Sequence, residues 1–100
     1  MGGSSAINGV CFIRGHALDF ERWVSEGAAG WSWREVLPYF KRAETWEGGE
    51  SPYRGGSGPV HVRKGRYPTE LYDIFVQAGA QAGYPLTDDI NGEFQEGFGA

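Results

Sequence analysis

The amino-acid sequence predicts an α+β fold with about three helices and one or two short strands. Apolar residues recur at helical spacing in three separated stretches, and one stretch alternates between apolar and polar as a strand does. Glycine makes up 17 of 100 residues, against an average share of roughly 7%, which implies many loops shaped by their backbone.

Gly2-Gly3-Ser4-Ser5-Ala6-Ile7-Asn8-Gly9 reads as a loop. Its glycines lack a Cβ and let backbone approach a ligand closely, while its serines and Asn8 offer short hydrogen-bonding groups. That combination suits contact with a cofactor. Asn8 can also cap a turn through its side chain, and the two roles are compatible. Val10-Cys11-Phe12-Ile13 is a short apolar run, a strand or a buried helical turn. From Ala17 to Glu26, Phe20, Trp23 and Val24 fall at helical spacing with Gly27 as a stop. Ser32, with Glu35 three residues on, forms a capping box for a second helix through Val36, Leu37, Phe40, Ala43 and Glu44. Pro38 inside it removes one backbone donor and is expected to kink it.

The glycine-rich stretch Glu47 to Gly58 reads as an exposed loop. Pro59-Val60-His61-Val62-Arg63 alternates as a strand, and Val10 to Ile13 is the candidate partner. Leu71, Ile74, Phe75, Ala78 and Ala82 mark the apolar face of a third helix, with Thr69 as N-cap, Gly83 past its end and Pro85 soon after. Residues 88–100 form an acidic tail whose Phe94 and Phe98 need something to pack on.

Net charge is −4, and the Arg63-Lys64-Gly65-Arg66 cluster reads as a local solvated turn, so nucleic acid is not an expected partner. The sequence shows no signal peptide and no membrane-spanning stretch, and nothing in it points to secretion. Cys11 has no partner for an intrachain disulfide and reads as a small buried hydrophobe. His16, at a helix entrance, and His61, on the polar side of a strand, belong to no ligand motif and read as structural. Asp88, Asp89, Glu93 and Glu96 lack the spacing of a metal loop and read as solvated. No metal site is expected. Trp23, Trp31, Trp33 and Trp46 read as packing residues rather than a cage for a cationic ligand.

The opening run through Arg14-Gly15-His16 resembles the flavin-contact signature of the glucose-methanol-choline (GMC) oxidoreductases. The resemblance continues through Ala17 to Trp23, Gly30 to Glu44, Gly56 to Val60, Gly79 to Pro85 and Asp88 to Gly92, and is strongest toward choline dehydrogenases and similar bacterial alcohol dehydrogenases. It implies a piece of a two-lobed FAD-binding fold. Residues 1–16 would be the flavin-contact loop and apolar segment, 17–58 a helical segment with a glycine-rich loop, and 59–100 a strand, helix and tail over the substrate side. It also implies oxidation of a small alcohol by hydride transfer to FAD. Gly2, Gly3, Ser4, Asn8, Gly9 and Cys11 are the cofactor-contact residues it carries over. Some relatives have at position 7 a histidine bonded to the flavin, and Ile7 cannot form that bond, so FAD is expected to be held noncovalently.

The GxGxxG phosphate-binding fingerprint and the family's distal catalytic histidine are not in the sequence. The chain therefore reads as an internal slice of a longer enzyme, inactive alone and without catalytic residues of its own. The resemblance implies a cytoplasmic parent, with an electron acceptor or a membrane surface as further partners and no implication for its oligomeric state. The competing readings are a helical interaction module that presents Trp and Phe without a cofactor, and a GMC enzyme acting on aliphatic alcohols or sugars.

Overall fold

A computed structural model describes residues 2–65 and 69–99. After a 3-10 turn at Ser4–Ala6 come α1 (Ala17–Ser25), α2 (Trp33–Ala43), β1 (Glu44–Trp46), β2 (Val60–Val62) and α3 (Glu70–Gln81). Three helices and two short strands match the predicted class.

The helix boundaries derive from local chemistry. The backbone N–H of His16 donates to Asp19 Oδ2 at 3.1 Å, and His16 Nδ1 accepts from the N–H of Leu18 at 3.2 Å, closing the start of α1. At α2 both the N–H and the hydroxyl of Ser32 donate to Glu35 Oε2, at 3.1 and 2.6 Å. Those two bonds, the hydroxyl's first, hold the exposed Glu35 carboxyl below its usual pKa. Their contribution is complete above the ordinary carboxylate range and is lost as pH falls through the depressed pKa. Pro38 lies inside α2, which runs on without interruption to Ala43. Thr69 caps α3 by accepting from the N–H of Tyr72 at 3.3 Å.

The strand pairing differs from the expectation. Val10 to Ile13 has no regular structure, and β2 pairs instead with β1, in parallel, with Glu44 opposite Val60 and Trp46 opposite Val62. Glu44, expected as the end of the second helix, leaves the helical backbone and begins the strand. A parallel pair needs a long crossover, and residues 47–59 supply it by folding back on β1: Trp46 N–H donates to Gly55 C=O and Gly58 N–H to Glu44 C=O, both at 2.8 Å. This stretch is not the exposed loop expected, because Arg54, Gly55 and Gly58 are buried. Arg63, Lys64 and Gly65 are exposed as anticipated, and Arg66 lies outside the described residues.

α1 meets α2 through aromatic rings. Phe20 lies 5.3 Å from Trp23, 5.6 Å from Trp33 and 5.8 Å from Phe40, and Trp31 lies 5.9 Å from Trp23. The rings pack on one another, which is the packing role expected of them, while Trp46 lies apart beneath the Arg54 guanidinium at 4.0 Å. Among the described residues only Phe20 and Val36 are fully buried hydrophobics. The Cα radius of gyration is 15.7 Å, above the ~13 Å of a closed domain of this length. The chain is open, and the predicted apolar face of α3 illustrates it: Leu71, Ile74 and Phe75 are exposed.

The tail finds α3 through Phe98, whose ring lies 5.1 Å from Phe75 and 5.6 Å from Tyr84. Gly79 makes this approach possible, since a Cβ there would fall 2.4 Å from Phe98 Cγ. Gly79→Ala is expected to cost about 1–3 kcal/mol by overpacking, read as a lower denaturant midpoint. An unchanged midpoint would mean that Phe98 does not rest on α3.

Candidate functional site

Residues 2–11 form an exposed loop. Gly3 adopts φ 73°, a left-handed conformation that suits glycine and starts the Ser4–Ala6 turn. Asn8 braces the turn at Gly9 and Val10 with both ends of its side chain. Nδ2 donates to Ser4 C=O at 2.8 Å, and Oδ1 accepts from the N–H of Val10 at 2.7 Å. Val10 is thereby held at φ 48°, a conformation that a β-branched residue strongly disfavours, and the residue is 87% exposed. Such strain costs of order 1–3 kcal/mol and gathers at functional sites.

The strained turn orients two peptide groups. Among the described residues the N–H groups of Gly9 and Cys11 have no hydrogen-bond partner. Ile7, Val10 and Ile13, neighbours in the sequence, are exposed aliphatic residues. Free amide donors beside an apolar face fit a flat heteroaromatic ring, whose edge accepts hydrogen bonds while its face needs apolar cover. Gly2, Gly3, Ser4, Asn8, Gly9 and Cys11 are all exposed in this segment. Cys11 departs from its expectation, being exposed rather than buried, and its thiol donates at 3.5 Å to Gly9 C=O.

Two open clefts lie elsewhere, one of about 510 Å³ beside Arg34, Tyr39 and Arg42 and one of about 580 Å³ beside His16, Asp89 and Phe94. Neither includes residues 2–11. The loop is an exposed surface rather than the wall of either cleft. Among the described residues no three metal-ligating side chains come together. His61 is exposed, and His16 serves as the cap of α1.

Where the chain leaves the loop, Arg14 enters a buried ionic cluster that no sequence pattern reveals. Arg14 donates to the C=O of Tyr53 and to Glu44 Oε1. Glu44, 0% exposed, also accepts from the N–H of Gly55 at 2.9 Å. Arg54 Nε lies 3.1 Å from the same carboxylate oxygen, although its N–H is not aligned to hydrogen-bond it, and Arg54 Nη1 donates to Asp89 Oδ1 at 2.8 Å. Burial, reinforced by the like charge of Arg54, pulls the Arg14 guanidinium below its ordinary pKa, and Glu44 and Asp89 oppose that shift. Asp89, expected to be solvated, is instead half-buried in this cluster. Asn91 completes it by bonding the backbone of Phe12 and Arg14. These residues come from all three stretches of the sequence, so their partnership is set by the fold and not by local spacing.

The GMC oxidoreductase family profile matches residues 1–100. The chain belongs to the GMC oxidoreductases. It is 57% identical over 101 residues to an oxygen-dependent choline dehydrogenase of Photobacterium profundum, a match covering 99% of this chain and 18% of that protein. An oxygen-dependent choline dehydrogenase of Sinorhizobium fredii is 56% identical with the same coverage. Among solved structures, an FAD-dependent oxidoreductase from Chaetomium thermophilum superposes with a TM-score of 0.82 at 30% identity, covering 93% of this chain and 18% of that one. Pyridoxine 4-oxidase from Mesorbium loti gives a TM-score of 0.78 at 32% identity over 88% of this chain and 18% of its own. The chain therefore spans about a fifth of the length of these GMC relatives. Its α+β architecture is that of the corresponding piece of the GMC fold.

Proposed function

We infer that this chain is the flavin-contact segment of an FAD-dependent GMC enzyme that oxidises a small alcohol, choline in the first instance, to the aldehyde. The observation that carries this reading is the strained turn at Val10 in a loop of a GMC chain, flanked by the Gly9 and Cys11 amides, which have no hydrogen-bond partner among the described residues. When bound, FAD supplies the hydride-accepting centre. The loop's part is to bring uncharged donors to the ring's edge, where they stabilise negative charge developing on reduction. Gly2, Gly3 and Gly9 permit the close approach, and Ser4 and Asn8 hold the backbone in shape. Ile7, Val10 and Ile13 offer an apolar surface that keeps water from the ring. Ile7 carries no nucleophilic atom, which supports noncovalent retention of the cofactor through this loop. Choline as substrate is supported by the 57% identity to an oxygen-dependent choline dehydrogenase.

The test is anaerobic mixing of the purified full-length enzyme with choline. The enzyme is expected to be yellow, to lose its flavin absorption with choline and to release the flavin on denaturation. A colourless protein would refute the flavin reading, and a yellow protein bleached by another alcohol but not by choline would refute the substrate. The 100-residue chain alone is expected to show no alcohol oxidation and at most weak FAD binding, because its own core is thin.

A further inference from the structure

The loop of residues 2–11 has little to hold it. Among the described residues its hydrogen bonds all close within the segment: Ala6 to Gly3, Ile7 and Asn8 to Ser4, Val10 to Asn8 and Cys11 to Gly9. Among the described residues, the hydrogen bonds that tie this part of the chain to the rest of the fold begin where it leaves the loop, at Phe12 to Arg14. There a single side chain grips the backbone twice. Asn91, 2% exposed, accepts from the N–H of Arg14 through Oδ1 and donates to the C=O of Phe12 through Nδ2, both at 2.8 Å. The amide is itself anchored, since the Asn91 N–H donates to Asp89 Oδ1 at 2.9 Å, the oxygen that also receives Arg54.

An amide is the side chain that this place requires. The two backbone groups flanking Ile13 are one donor and one acceptor, and an Asn or Gln amide presents both complements from one planar group at every pH. Either group left unpaired in this setting would drive the backbone to rearrange. Such a rearrangement three residues from Gly9 would swing the loop's free amides.

We propose that Asn91 is a positioning residue for the flavin-contact loop, its side-chain amide clamping the backbone on both sides of Ile13 and so setting where the Gly9 and Cys11 amides point. The proposal rests on the flavin reading above. It places a determinant of flavin chemistry in the tail of the chain, 77 and 79 residues from the two backbone groups that it grips.

The experiment compares three variants of the full-length holoenzyme: Asn91→Ala, Asn91→Asp and Thr69→Ala. The last removes the cap of α3 and serves as a destabilised control away from the loop. FAD affinity of the stripped protein, flavin midpoint potential and melting temperature are measured for each. Asn91→Ala is expected to weaken FAD binding and slow flavin reduction by about tenfold or more, since small misplacements of contact groups have such effects, and to lower the midpoint potential. Asn91→Asp keeps the acceptor for Arg14 but loses the donor to Phe12, and is expected to fall between Asn91→Ala and wild type. Thr69→Ala should melt lower with its potential unchanged. The proposal is overturned if both Asn91 variants fold with wild-type affinity and potential, if Thr69→Ala shifts the potential equally, or if neither Asn91 variant folds, which would make the amide a stability element alone. Wild-type protein that binds no FAD would instead sink the flavin reading. Asn8→Ala shifting the potential while Asn91→Ala does not would remove only this inference.

Discussion

Glu44→Ala in the full-length enzyme is expected to cost about 3–5 kcal/mol of stability, the range found when one partner of a buried ion pair is removed. Glu44 is the fully buried anion between two buried guanidiniums. Without it Arg14 and Arg54 face each other with only Asp89, half-buried, to offset their charge, and the Gly55 N–H loses its acceptor. Coulomb repulsion in a low-dielectric setting and an unpaired donor act in the same direction. Glu44→Gln keeps an oxygen acceptor for Gly55 and Arg14, so a smaller loss is expected; its difference from wild type reads the charge, and its difference from Glu44→Ala reads the acceptor and the side-chain volume. Urea or thermal unfolding monitored by tryptophan fluorescence reads the effect through Trp46, which lies under Arg54. A Glu44→Ala loss below about 1 kcal/mol would match an exposed pair and would mean that the cluster is open to solvent in the whole protein.

The residues of that cluster show why part of this fold is legible in the sequence and part is not. Helix starts are readable because their determinants are three residues apart: Ser32 with Glu35, and Thr69 before the first turn of α3. The same logic reaches His16 and Asp19 once histidine is weighed as a cap. Glu44 reads as a polar position at the end of an amphipathic helix, and local periodicity gives no sign that it turns inward and starts a strand. Its partners are 30 positions upstream at Arg14 and 10 downstream at Arg54. Val10 to Ile13 resembles a strand because it is apolar, yet Val10 and Ile13 are exposed and the run has no ladder partner among the described residues. The apolar face of α3 is legible as a pattern, but a pattern does not say what covers it. At the candidate site the small residues and Asn8 are readable. The strain at Val10 is not, although an Asx turn from Asn8 two residues earlier is its available signal.

Asn8→Ala is expected to slow flavin reduction by alcohol by about 10²-fold, comparable to removing one preorganised donor from a charge-stabilising site, while leaving the fold intact. The fold should survive because every hydrogen bond of Asn8 closes within its own exposed loop. The rate should fall because Val10 has no reason to stay at φ 48° once the Asn8 carbonyl no longer holds its N–H. Relaxation to a negative φ releases about 1–3 kcal/mol of strain, and the peptide groups on either side of Val10 turn with it. Stopped-flow reduction and the flavin midpoint potential read this directly, and wild-type values for both would remove Asn8 from the site. Val10→Gly in the same background separates two ways in which Asn8 could act. Glycine adopts positive φ freely, so if Asn8 works by shaping the turn, the double variant should recover part of the lost rate. If it recovers none, the Asn8 amide itself, rather than the turn that it braces, is the group that meets the flavin.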